Sequence, residues 1–96
     1  MPVFKGSGTG DIYSQYYNIP SKIISFYLVN PELKGADRKV TVYIQDIDNV
    51  DVPITAIELV LKSNQAYIRD TITKVNKNER IHIVSSNTID YYFSIE

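Results

Sequence analysis

The stretch from Arg80 to Ile95 constrains this chain more than any other. Its second part alternates without a fault, with Ile89, Tyr91, Phe93 and Ile95 on one side and Thr88, Asp90, Tyr92 and Ser94 on the other. A period of two is the pattern of a half-buried strand. Before it, Arg80-Ile81-His82-Ile83-Val84 reads as a partner strand and Ser85-Ser86-Asn87 as the turn between them. The spacing predicts a C-terminal hairpin, and with it a small antiparallel β domain. A domain of that kind with few reactive side chains is suited to binding or building rather than catalysis.

Length and charge narrow the field further. A chain of 96 residues is one domain, able to bury about 60 to 70% of its unfolded surface in a single core. Ten Lys and Arg against eleven Asp and Glu create no basic field, so nucleic-acid binding driven by counterion release is not expected. The absence of cysteine removes disulfides, cysteine-built zinc sites and thiol nucleophiles. The apolar runs are too short to span a bilayer. Met1 to Gly10 lacks the basic start and apolar segment of a secretory signal, so the protein is expected to work where it is made.

Residues 1–10, with Gly6, Gly8 and Gly10 among Ser and Thr, predict a flexible N-terminal arm anchored to a partner through Val3 and Phe4. Residues 11–96 then form one domain. Ile24, Phe26 and Leu28 oppose Ile23, Ser25, Tyr27 and Val29 in a strand apolar on both faces. Asn30 to Asp37 is a loop. Val40, Val42 and Ile44 alternate with Thr41, Tyr43 and Gln45, and Pro53 marks an edge. Ile57, Leu59 and Leu61 alternate with Glu58, Val60 and Lys62, which favours a strand over the helix that the same residues could form. Tyr67 to Val75 follows, with Ile68 and Ile72 expected inward. Seven or eight strands at this spacing predict an all-β, antiparallel β-sandwich of jelly-roll or Ig-like type. The expected core is Val40, Val42, Ile44, Ile57, Leu59, Leu61, Ile81, Ile83, Ile89, Tyr91 and Phe93.

No constellation specifies chemistry. The glycine series lacks the Lys-Ser/Thr of a phosphate loop. Asp46, Asp48, Asn49 and Asp51 crowd oxygen atoms together, but glycine and glutamate are missing where a helix-flanked calcium loop needs them, and a solvated turn is the simpler reading. His82 is the only histidine. With Ser85 or Ser86 and Asp90 it supplies the residue types of a triad without the required order of contacts. No catalytic residue, cofactor or metal ligand is therefore assigned. The eight tyrosines are more telling. Adjacent tyrosines in a strand point to opposite faces, so Tyr16-Tyr17 and Tyr91-Tyr92 each turn one ring outward. With Tyr27 and Tyr43 exposed as well, Val3, Phe4, Tyr16, Tyr17, Tyr27, Tyr43 and Tyr92 are the candidate protein interface.

The order of segments resembles small β-sandwich virion proteins of tailed bacteriophages. The resemblance runs over residues 12 to 96: an early aromatic stretch (Tyr13 to Tyr17), the Asn18-Ile19-Pro20 step, an apolar strand ending in Asn30, the Val40-Thr41-Val42-Tyr43-Ile44 strand, an Asp/Asn-rich turn and the C-terminal hairpin. The bias toward Ile, Asn, Lys and Tyr is similar to that of crAss-like phage proteins. The resemblance implies a non-enzymatic auxiliary capsid, or decoration, protein. It would be present in multiple copies on the major capsid protein or other virion proteins, assembled in the host cytoplasm, with no nucleic-acid or membrane partner. A neck or tail ring component is one alternative. A carbohydrate-binding β-sandwich is another, in which exposed tyrosines stack on sugars and Asp46 to Asp51 hold calcium.

Overall fold

The computed structural model describes residues 2–96. Eight strands make up its regular structure: β1 (Val3–Tyr13), β2 (Ser21–Val29), β3 (Arg38–Gln45), β4 (Asp51–Pro53), β5 (Leu59–Leu61), β6 (Ala66–Arg69), β7 (Thr73–Val75) and β8 (Arg80–Ile95). All the pairings are antiparallel. β8 is the spine. Its first half lies between β3 and β1, and its second half between β2 and the other end of β1. β4 and β5 extend the sheet beyond β3, while β6 and β7 extend it beyond β2. Ile23, Phe26 and Leu28 of β2 share one buried cluster with Val40, Val42 and Ile44 of β3, so the sheet curls over a common core. The all-β antiparallel class expected from the alternation is the class observed.

The predicted C-terminal hairpin is instead one strand of 16 residues. Its odd-numbered positions keep one inward phase on both sides of the bulge, with only Asn87 exposed: Ile81, Ile83 and Ser85 are buried before the expected turn, and Ile89, Phe93 and Ile95 after it. A bulge takes the place of the turn. Between Gly8 and Gly10, β1 advances two residues while its partners on β8 advance four, from Ile89 to Ser85. The displaced segment is tied to neighbouring strands, since Arg38 Nε donates to the Thr88 carbonyl (2.9 Å) and Ser86 Oγ accepts from the Lys39 amide. A bulge bends its strand, and this one lets a single strand serve both halves of the curled sheet.

The flexible arm expected over residues 1–10 is strand from Val3 onward; Met1 lies outside the described residues. The physical reason is steric. A Cβ on Gly6 would come within 2.7 Å of the Tyr91 hydroxyl, and Gly10 sits at φ +72° in the bulge. These glycines permit close approach and a left-handed turn, so the composition that suggests flexibility is what lets β1 lie on β8. Phe4 is part of this chain's own packing, 4.9 Å from the Tyr91 ring and 5.7 Å from Phe93.

Three expected core positions point outward. Ile57 is 67% exposed, because Glu58 at φ +53° breaks the strand and leaves only Leu59 to Leu61 paired with β3. Ile68 and Ile72 are 67% and 57% exposed. The segment from Tyr67 to Val75 divides into β6 and β7, and β6 turns Tyr67 rather than Ile68 against the core. In β2 a register shift between Ile23 and Ser25 resets the alternation, so Ile23, Phe26 and Leu28 are all buried. The loop after β2 is held by polar groups. Buried Asn30 donates from Nδ2 to the Ala36 and Leu61 carbonyls and accepts from the Glu32 amide. Arg38, 1% exposed, donates from Nη1 to the Ala36 carbonyl and places Nη2 2.8 Å from Glu32, an ion-pair contact without hydrogen-bond alignment.

Candidate interaction surface

With alternate residues of β8 committed to the core, the rest face outward, and register decides which side chains meet there. In the second half of β8 one row crosses four strands: Ile68 on β6, Tyr27 on β2, Tyr92 on β8 and Lys5 on β1. The Tyr27 and Tyr92 rings are parallel, 5.2 Å apart at 2°. A flanking row carries Val3 opposite Ser94 and Ser25, and Val29 lies on the other side. Tyr27 and Val3 are 41% and 40% exposed. An aromatic pair framed by aliphatic side chains and one lysine thus forms an apolar stripe on solvent-facing sheet.

The first half of β8 builds a different outer face. Tyr13, His82 and Tyr43 lie side by side on β1, β8 and β3, with the imidazole 4.4 Å from the Tyr13 ring and 5.6 Å from Tyr43. The imidazole lies between two carboxylates, with Asp51 Oδ1 3.0 Å from Nδ1 and Asp11 Oδ1 2.8 Å from Nε2. Arg80 lies over the Tyr13 and Tyr16 rings at 4.0 and 4.4 Å, and its Nε donates to Gln45 Oε1. The cluster is packed and paired: the His82 side chain is only 7% exposed. It fastens β1, β3, β4 and β8 together rather than presenting a reactive group.

The residues predicted for the interface therefore separate. Val3, Tyr27 and Tyr92 come together on the stripe. Tyr43 and Tyr16 belong to the His82 face. Tyr17 packs against the core, where burial pushes its phenol above the ordinary value while a hydrogen bond with Ser14 opposes the shift. Phe4 packs inward on Tyr91, whose phenol is likewise raised by burial. Ile68 is the stripe residue that the alternation assigned to the core. In the acidic turn, Asp46 Oδ1 accepts from the Asp48 and Val50 amides, and Asp51 is held by His82, so two of the three carboxylates serve the fold. Ser85 is inward and Ser86 accepts from Lys39, so neither hydroxyl is assembled with His82. No family model, curated protein or solved structure matches this chain.

Proposed function

We propose that the protein is a non-enzymatic structural component of a phage virion, an auxiliary capsid protein that packs on capsid subunits through the stripe on β6, β2 and β8. The observation that carries this reading is the outer row of exposed Ile68 and Tyr27 with half-buried Tyr92, flanked by Val3. Aromatic and aliphatic side chains held rigid on a sheet contribute contact area at low conformational cost, which is the chemistry of protein interfaces. The order of segments that resembles tailed-phage virion proteins supplies the setting, and the major capsid protein is the partner that this setting implies. The His82 cluster fits the same reading as a structural fastening.

The test compares particles from cells producing the wild-type chain or a Tyr27→Ser/Ile68→Ser variant, with copy number per capsid subunit measured by quantitative mass spectrometry. Wild-type chain is expected at a fixed ratio to the capsid protein, and the variant reduced at least about tenfold, the equivalent of 1.4 kcal/mol of lost affinity. A chain missing from particles refutes the virion reading. Equal incorporation of both chains refutes the stripe. A copy number matching a single ring would move the protein to the neck or tail.

A further inference from the structure

β1 has a neighbour on one side only. Among the described residues all of its 11 residues but Thr9 pair with β8, and no strand pairs along its other edge. That is long for a free edge, since strands average about five to six residues and exposed edges are usually short or interrupted by proline. Residues 3–13 contain no proline.

Antiparallel pairing uses the N–H and C=O of alternate residues. The Pro2 carbonyl accepts from the Ile95 amide and the Ser14 amide donates to the Ile81 carbonyl, so even-numbered residues of β1 face β8. The odd ones, Val3, Lys5, Ser7, Asp11 and Tyr13, turn their backbone groups to the free edge. The parity holds through the bulge, because β1 advances by two between Gly8 and Gly10.

We propose that this edge pairs with the same edge of a second copy of the chain, β1 antiparallel to β1, about a two-fold axis at Gly8. Self-complementarity carries the proposal. Read against its own reverse about Gly8, the sequence Val3-Phe4-Lys5-Gly6-Ser7-Gly8-Thr9-Gly10-Asp11-Ile12-Tyr13 sets Val3 opposite Tyr13, Phe4 opposite Ile12, Lys5 opposite Asp11, Gly6 opposite Gly10 and Ser7 opposite Thr9. Apolar meets apolar, lysine meets aspartate, and glycine meets glycine. Directly opposed charges and aromatic–aliphatic pairs are the contacts that stabilise a sheet. Parity allows only registers centred on a residue rather than between two. Centring on Thr9 would set Lys5 against Tyr13, and centring on Ser7 would set Val3 against Asp11. Only the Gly8 register joins the opposite charges, and the Asp11 side chain, although bonded to His82, is 62% exposed and within reach of a second cation.

The shape of β1 is compatible with this axis. Pro2, Val3 and Phe4 at one end and Tyr13 and Ser14 at the other line a single cleft of about 260 Å³, so the strand doubles back at its bulge. A two-fold axis along the bisector of such a bend carries each arm onto the other. The strand can then stack on its copy without straightening. About ten inter-chain backbone hydrogen bonds would form, and the curled sheets of the two copies would become continuous. This inference is independent of the virion reading, because it concerns the edge and a second copy rather than the outer stripe and a capsid subunit.

Sedimentation equilibrium of the purified chain and its variants is the test. The wild type is expected to dimerise. Ser7→Pro removes an amide that points away from β8, so it should leave the fold intact by circular dichroism and abolish the dimer. Lys5→Glu sets like charges opposite each other twice per dimer and should weaken it about tenfold. Register is read by mixing Ser7→Cys and Thr9→Cys chains under mild oxidation: the mixture should yield disulfide-linked heterodimers, and neither chain alone a covalent dimer. Should Ser7→Pro not fold, Lys5→Glu and the crosslinks decide. A wild-type monomer at about 1 mM, the limit of weak association, overturns the proposal. So does a dimer insensitive to Lys5→Glu with no crosslink in the mixture, and covalent dimers from either chain alone overturn the Gly8 register.

Discussion

Phe93→Ala is the perturbation that the core makes most costly. The ring is fully buried, stacked on Phe26 at 4.7 Å and 11°, and also touched by Phe4. Its neighbours belong to β2 and β1, which are hydrogen-bonded to β8 on opposite sides. Neither can collapse into the space without disturbing a ladder. Truncating a buried Phe costs about 3 to 5 kcal/mol. A domain of this size has about 5 to 14 kcal/mol of stability in all, so the variant should approach the threshold of unfolding. Urea denaturation followed by circular dichroism should show a lower midpoint with an unchanged slope, and Tm should fall by at least about 12 °C. Ile57→Ala, at a position that alternates just as well in the sequence but is exposed, should stay within about 0.5 kcal/mol. A loss below about 1 kcal/mol for Phe93→Ala, or similar losses for the two variants, would refute this account of the core.

Three further outcomes are expected. Arg38→Met keeps an apolar stem but leaves the Thr88 carbonyl without its side-chain donor and the Ala36 carbonyl with Asn30 alone, and should cost about 1 to 3 kcal/mol in the same urea assay; a neutral result would show that the Thr88 carbonyl finds another partner. Gly6→Ala drives a methyl against the Tyr91 hydroxyl, so it should destabilise the chain, and Tyr91→Phe, which removes that oxygen, should recover part of the loss; strict additivity in the double-mutant cycle would contradict the contact. Burial holds the Tyr17 and Tyr91 phenols above their ordinary value of 10.0, so the folded chain retains protons that the unfolded chain releases. Their contribution is whole below about pH 10 and is lost as pH rises through the folded values. The unfolding midpoint should fall in that alkaline window and fall less in Tyr17→Phe; identical profiles for the two chains would exclude Tyr17.

Much of this fold is legible in the sequence, because β3 and both parts of β8 carry an unbroken period of two. The phase of the odd positions from Ile81 to Ile95 even runs through Ser85-Ser86-Asn87, and that continuity signals one strand more reliably than the polar residues signal a turn. β1 is hidden because its inward positions are Phe4, Gly6, Gly8 and Ile12, and glycines that admit Tyr91 and Ile12 look the same as glycines in a loop. Ile57 and Ile72 mislead because they fall just before the short strands β5 and β7 rather than within them, and Ile68 because β6 turns it to the outer face, which only the position of neighbouring strands decides. The His82 cluster joins residues far apart in the chain, from Asp11 to Asp51, so only the pairing of β1, β8, β3 and β4 brings it into being. The outer stripe is partly legible: paired tyrosines announce Tyr92, while Ile68 becomes visible only once β6 is aligned on β2.

The claim that the apolar stripe docks this domain on a capsid is tested most directly by a cryo-electron-microscopy reconstruction of purified particles carrying the chain. The expected result is density for the eight-stranded domain at repeated, symmetry-related sites, with Ile68, Tyr27 and Tyr92 buried against a capsid subunit. Particles without that density, or a domain seated with the stripe facing solvent, would contradict it.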